Sequence, residues 1–155
     1  MLYVIPTPIG NIEDITFYEQ EVKPHLNDKI TWAGSLSPEL PLNKQEVVEL
    51  MQNAKCFLMT INWFEPFGLV MAEAMSCGTP VIGFDRGAVA EVIADGKTGF
   101  VVPYESGIDG LKQALTKIDT IKPEDCRKHI EDNFSTETMV SNYEKVYNDI
   151  LNLKH

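Results

Sequence analysis

Residues 56–84 read CFLMTINWFEPFGLVMAEAMSCGTPVIGF, and this stretch decides the fold. It opens with Cys56–Met59, a continuous apolar run too short for a helix, which predicts a buried strand of a parallel sheet. A helix is predicted over Leu69–Cys77, because Gly78 supplies a natural C-cap. The run Pro80–Phe84 predicts the next buried strand. Strand, helix and strand in this order form the unit from which parallel sheets are built.

The same alternation extends in both directions from this stretch. Further strands are predicted at Leu2–Ile5, Ile30–Ala33 and Phe100–Val102, and further helices at 17–26, 47–54, 88–94, 108–118, 123–131 and 136–152, the last capped by Ser135. We therefore expect an α/β fold, namely a three-layer, Rossmann-like, doubly wound parallel sheet with helices on both faces. Residues 1–155 are expected to form one domain.

Composition excludes several classes of protein. The chain has 155 residues, of which 44% are hydrophobic and 23% charged, as in a globular protein. Its net charge of −10 argues against binding nucleic acid or an anionic membrane surface. Cys56, Cys77 and Cys126 have no metal-type spacing, so we interpret them as free thiols in a reducing compartment. No apolar run reaches the ~18 residues of a transmembrane segment, and we expect a cytoplasmic protein.

Two acids flank the predicted start of the helix after residue 67. A helix beginning near Gly68 presents the unpaired N–H groups of Leu69, Val70 and Met71, which together with the helix dipole attract an anion. Glu65 precedes this point and Glu73 follows one turn into the helix. The arrangement suits a ligand with phosphates in the middle and hydroxyls at both ends, such as a nucleoside diphosphate-sugar. On spacing alone, acids that merely stabilise the helix dipole are the more frequent explanation.

The segment as a whole resembles a known family. Residues 65–82 (EPFGLVMAEAMSCGTPVI), followed by Arg86-Gly87, Glu91–Ile93 and 96–100 (GKTGF), are similar to the C-terminal, donor-binding half of GT-B glycosyltransferases. The resemblance is strongest to retaining enzymes of glycosyltransferase family 4, the group 1 type. The signature of that family is a pair of glutamates separated by seven residues, which Glu65 and Glu73 match.

The resemblance implies a role for each site residue. Glu65, the candidate catalytic residue, would contact hydroxyls of the donor sugar, and Glu73 would bind the ribose. The sugar and diphosphate would be held by the backbone amides of Phe67, Gly68, Leu69 and Val70. The nucleobase would be bordered by the turn after the second strand, formed by Gly34, Ser35 and Leu36. No metal or other cofactor is expected, and no Asp-x-Asp motif is present.

The resemblance also implies parts of the enzyme that these residues do not supply. We expect the first strand–helix unit of the domain, with its diphosphate-binding Arg and Lys, and the N-terminal acceptor domain to be contributed in cis or in trans. The stripe Tyr143, Tyr147 and Leu151 would then lie at the former domain interface, where it favours self-association. The isolated chain is expected to bind its donor weakly and to lack turnover. Peripheral membrane attachment stays open for the full-length enzyme.

Two other functions stay open. The chain is alternatively a non-catalytic nucleotide-sugar-binding or assembly module of a split enzyme. Residues 3–16 (YVIPTPIGNIEDIT) resemble the opening of ribosomal-RNA methyltransferases that use S-adenosylmethionine, a likeness of fourteen residues that we interpret as coincidence.

Three side chains near the acids have open interpretations. Arg86 is interpreted as a surface residue paired with Asp85 rather than as a group that reaches the cleft. Trp63 and Phe64 either line the cleft or form apolar surface that the acceptor domain covers.

Overall fold

The computed structural model describes residues 2–4, 20, 23–32 and 43–152. The chain divides into two compact units, Met1–Val47 and Val48–His155. In the first unit, strands β1 (Leu2–Val4) and β2 (Ile30–Trp32) pair in parallel, as their apolar sequences predicted.

Two predictions in the first unit fall wholly or partly beyond what is described. A short 3-10 helix at Lys23–His25 is the described part of the helix predicted at 17–26. The turn Gly34–Leu36, the predicted border of the nucleobase, lies outside the described residues.

Helix α1 (Lys44–Asn53) begins with a reciprocal capping box. The Glu46 N–H donates to Asn43 Oδ1 at 3.0 Å, and the Asn43 N–H donates to Glu46 Oε2 at 2.8 Å. Near the end of the helix the Thr79 hydroxyl donates to the backbone carbonyl of the buried Met51. The first turn of the helix is thus stabilised by hydrogen bonds within its own sequence, and its last turn by Thr79, 28 positions after Met51.

The second unit contains a parallel three-stranded sheet in the order β3-β4-β5. The strands are β3 (Phe57–Met59), β4 (Val81–Phe84) and β5 (Gly99–Val102). Helix α2 (Leu69–Ser76) connects β3 to β4, and helix α3 (Val89–Val92) connects β4 to β5. Parallel strands that alternate with helices confirm the predicted α/β fold class.

The central strand carries the core, whereas β3 lies at an edge of this sheet. All four residues of β4 are buried, but Leu58 in β3 is 37% exposed and only Met59 of that strand is buried. The prediction of a buried strand at Cys56–Met59 is therefore wrong for Leu58. An apolar run does not reveal whether a strand has neighbours on both sides.

Three helices complete the unit: α4 (Gly107–Lys117), α5 (Pro123–Phe134) and α6 (Thr136–Asn152). Helix α4 packs on β4 and β5, α5 packs on α2, and α6 packs on α5. The predicted N-cap of α6 is confirmed, because Ser135 Oγ accepts a hydrogen bond from the Thr138 N–H at 3.2 Å.

The isoleucines of this unit provide a test of where its core lies. We expect Ile82→Ala to lower the free energy of unfolding by about 2–5 kcal/mol, because Ile82 is fully buried at the centre of the sheet. The same change at Ile108, which is 70% exposed, is the control and is expected to cost less than about 0.5 kcal/mol. Urea denaturation measures both, and equal losses would contradict the position of β4 in the core.

Candidate functional site

Two loops meet at the edge of the sheet where parallel strands β3 and β4 end. The Ala88 N–H, in the loop after β4, donates to the backbone carbonyl of Glu65 at 2.8 Å. Its neighbour Gly87 has φ of 60°, and a Cβ at that position would overlap the backbone N and O of Glu65. Only glycine allows this approach. The backbone of Glu65 is therefore held in place by the neighbouring strand's loop.

The carboxylate of Glu65 is held from two sides. Its Oε1 accepts a hydrogen bond from the Gly68 N–H at 3.1 Å, and its Oε2 accepts one from the Trp63 indole N–H at 3.0 Å. Glu65 thus caps the start of α2, and the half-buried side chain has a defined orientation. Each carboxylate oxygen has a second lone-pair site, so the group retains capacity to accept hydrogen bonds from a ligand.

The start of α2 is formed by the buried Gly68, the exposed Leu69 and the partly buried Val70. Gly68 is its N-cap, with φ of 77° in the left-handed region, and the Met71 N–H donates to the Gly68 carbonyl at 2.9 Å. The N–H groups of Leu69 and Val70, at the first two helical positions, have no intrahelical acceptor. The Leu69 side chain is 70% exposed, so it is not part of the core. Of the predicted backbone donors, Gly68 is the one whose N–H is engaged by Glu65.

Glu73 lies one turn further along the same exposed face as Leu69. The opposite face of α2 is buried through Met71, Ala74 and Met75. Within the described part of the chain, the Glu73 carboxylate has no hydrogen-bond or ion-pair partner. Burial first, and the negative charge of Glu73 second, raise the pKa of the Cys77 thiol. The structure therefore brings Glu65, Gly68, Leu69, Val70 and Glu73 together around one helix start.

The side chain of Phe67 is anchored to the C-terminal helices. Its ring meets that of Phe134 edge to face, with centroids 5.7 Å apart. It also lines a cavity of about 420 Å³ together with Met139, Tyr143 and Val146 of α6. The contribution predicted for Phe67 comes from its backbone, and its ring ties the loop after β3 to α5 and α6.

Arg86 makes contacts that its sequence neighbours did not predict. Its guanidinium carbon lies 3.6 Å from the centroid of the Tyr104 ring and 5.3 Å from that of Phe64, and Nη1 donates to the Asn62 carbonyl at 2.9 Å. Its Nε is buried and has no partner among the described residues. The predicted pairing with Asp85 is wrong, because the side chain crosses the loop after β3 instead. In the sequence, the one sign that Arg86 lies near the candidate site is its position directly after a predicted strand.

The cysteines of this unit are not activated as nucleophiles. Burial raises the pKa of Cys126 to about 11 and raises that of Cys56 above its ordinary value. All three cysteines are free thiols, and with raised pKa values they stay protonated at neutral pH.

The described residues contain neither a cluster of metal-ligating side chains nor a helix that could span a membrane. Within residues 2–4, 20, 23–32 and 43–152, no group of three or more His, Cys, Asp or Glu is arranged to hold a metal ion. None of the helices in those ranges is both long enough and apolar enough to cross a bilayer.

The parallel α/β fold, with an acid-flanked helix start at the carboxyl edge of its sheet, agrees with the predicted resemblance to GT-B glycosyltransferases. The family model described as Glycosyl transferases group 1 matches residues 13–134, and the chain belongs to this family.

Individual relatives agree with this assignment. N-acetyl-alpha-D-glucosaminyl L-malate synthase of Bacillus anthracis is 32% identical over 132 residues, which cover 82% of this chain and 32% of the relative. The chain thus spans about a third of the length of this curated relative.

Solved structures share the fold. Sucrose-phosphate synthase from Thermosynechococcus elongatus superposes with a TM-score of 0.64 at 22% identity, covering 98% of this chain and 38% of that one. Anabaena Alr3699/HepE, solved in complex with UDP-glucose, gives a TM-score of 0.64 at 19% identity, covering 91% of this chain and 38% of that one.

The loop contact at Glu65 can be tested with a matched pair of glycines. Gly87 and Gly96 both have positive φ, but nothing lies within 4 Å of a Cβ added at Gly96. We expect Gly96→Ala to cost about 1–2 kcal/mol of unfolding free energy from backbone strain alone. Gly87→Ala is expected to cost more, because the Glu65 backbone must also move. Urea denaturation checks both, and equal costs would show that the two loops do not touch.

Proposed function

We propose that this chain is the donor-binding half of a retaining glycosyltransferase and binds a nucleoside diphosphate-sugar. The observation that carries the proposal is the start of α2, where the Leu69 and Val70 amides lie between the held carboxylate of Glu65 and that of Glu73, which has no partner among the described residues. Family membership and the UDP-glucose bound by Alr3699/HepE support a ligand of this class.

Each part of the ligand has a group of suitable chemistry. The diphosphate would accept hydrogen bonds from the Leu69 and Val70 N–H groups, where the helix dipole favours negative charge. The ribose diol would donate to Glu73, which lies about 6 Å further along the helix axis. The hydroxyls of the sugar would donate to Glu65. Charge-assisted hydrogen bonds of this kind are about twice as strong as neutral ones.

The reaction would move a hexose-type sugar to an acceptor with retention of configuration. As the glycosidic bond to the nucleotide breaks, negative charge develops on the departing diphosphate, and the preoriented amides at the start of α2 stabilise it. No metal is required for this step. Glu65 would orient the sugar through its hydroxyls.

Acceptor binding belongs in this proposal to a separate N-terminal domain, supplied in cis or in trans. Helix α6 presents an exposed apolar face that could receive it. Its residues Tyr143, Val146, Tyr147, Ile150 and Leu151 are each about half exposed or more. Covering such a face releases water from apolar surface. Without that domain, the same face would favour self-association. We place the reaction in the cytoplasm.

Ligand titration separates this function from the alternatives. We expect the chain to bind at least one of UDP-glucose, GDP-mannose and ADP-glucose by calorimetry, and not S-adenosylmethionine. Glu73→Ala is expected to weaken binding of both the nucleotide-sugar and its nucleoside diphosphate by about tenfold or more, the equivalent of ~1.4 kcal/mol. Glu124→Ala, an exposed acid in the first turn of α5, is the control and should leave affinity unchanged.

Three results would contradict the proposal in whole or in part. Binding of S-adenosylmethionine with no affinity for any of the nucleotides would support a methyltransferase instead. Equal losses in Glu73→Ala and Glu124→Ala would show that Glu73 has no specific role. Transfer of sugar by the pure 155-residue chain would contradict the need for a separate acceptor domain.

A further inference from the structure

The loop that carries Glu65 is exposed and needs an external support. Trp63 is 51% exposed and Phe64 is 76% exposed, and Asn62 is exposed as well. Segments with so few buried contacts open readily. The end of this loop is attached through the Glu65 carbonyl to the Ala88 N–H. The beginning of the loop, near Asn62, needs a second attachment.

Arg86 supplies that second attachment. Its Nη1 donates to the Asn62 carbonyl at 2.9 Å, and its guanidinium lies 5.3 Å from the centroid of the Phe64 ring. A second ring, that of Tyr104, has its centroid 3.6 Å from the guanidinium carbon. A planar cation that contacts aromatic rings combines electrostatic attraction with stacking.

The support continues into the core. The Tyr104 ring meets the Phe84 ring edge to face with centroids 5.3 Å apart, and Phe84 is a buried residue of β4. Arg86 therefore links the exposed loop after β3 to the packed ends of β4 and β5. The link spans the carboxyl edge of all three strands, where the candidate site lies.

Trp63 transmits this support to the carboxylate. It lies between the attachments at Asn62 and Glu65, and its indole N–H donates to Glu65 Oε2 at 3.0 Å. If the Asn62 carbonyl is released, Trp63 is free to move, and Glu65 loses one of the two donors that orient it. The Gly68 N–H would then be the single remaining donor to the carboxylate.

We infer that Arg86 is a positioning residue that fixes the carboxylate of Glu65 for contact with the sugar of the donor. The ligand in this inference rests on the proposed function, whereas the support of the loop by Arg86 does not depend on it. Arg86 should therefore affect binding of the sugar alone, because Glu65 would contact the sugar while α2 would hold the diphosphate and ribose. Loss of Arg86 should weaken binding of the nucleotide-sugar and spare that of the bare nucleoside diphosphate.

A ligand-free experiment tests the structural part. Acrylamide quenching of Trp63 fluorescence is compared in wild type and Arg86→Met, with Trp63→Phe giving the background from Trp32. We expect the quenching constant of Trp63 to rise about twofold in Arg86→Met and to recover in part in Arg86→Lys, which keeps the charge but loses the planar fork. Arg127→Met removes an exposed arginine from α5 and should leave it unchanged. Unchanged quenching in Arg86→Met would overturn the inference.

A calorimetric experiment tests the selective part. UDP-glucose is compared with UDP, GDP-mannose with GDP, and ADP-glucose with ADP. For the pair that wild type binds, Arg86→Met should raise the Kd of the nucleotide-sugar about fivefold or more and that of the nucleoside diphosphate less than twofold. Equal effects on both would reject a positioning role. If wild type binds none of the three pairs, the proposed function fails, and the quenching result still decides whether Arg86 holds the loop.

Discussion

The site depends on one close approach, that of Gly87 to the backbone of Glu65, closed by the hydrogen bond from the Ala88 N–H at 2.8 Å. Adjacent parallel strands end at the same edge of a sheet, so the loops that leave β3 and β4 compete for the same space. Because Gly87 has no Cβ, the loop after β4 can pack directly against the backbone of the loop after β3. The backbone that carries the Glu65 carboxylate is positioned by this contact.

Glu65 then has a structural role and a proposed chemical one. Its carboxylate caps α2 by accepting the Gly68 N–H, and a negative charge near a helix N-terminus is favoured by about 0.3–1 kcal/mol. The same hydrogen bonds that cap the helix orient the group for a ligand. Isolated acids at helix starts have the first role only. The supported loop, the start of α2 and the second acid Glu73 favour the additional role here.

The local features of the site were predictable from sequence, and those made by distant residues were not. The start of α2 at Gly68 and the placement of Glu73 one turn later follow from helix geometry. The contacts of Arg86 do not, because Phe64 and Tyr104 are 22 and 18 positions away along the chain. The exposure of Leu58 also escaped prediction, since strand order decides which apolar strand lies at an edge.

The sequence by itself determined the alternation of strands and helices, the family, and the pair of acids around a glycine turn, because periodicity, capping and short motifs act over a few residues. Only the tertiary structure decided that the Glu65 carboxylate is held by Trp63 and Gly68, and that Arg86 supports the loop rather than pairing with Asp85. Those contacts join segments that meet only when parallel strands are aligned. Their energy depends on distances that no local pattern contains.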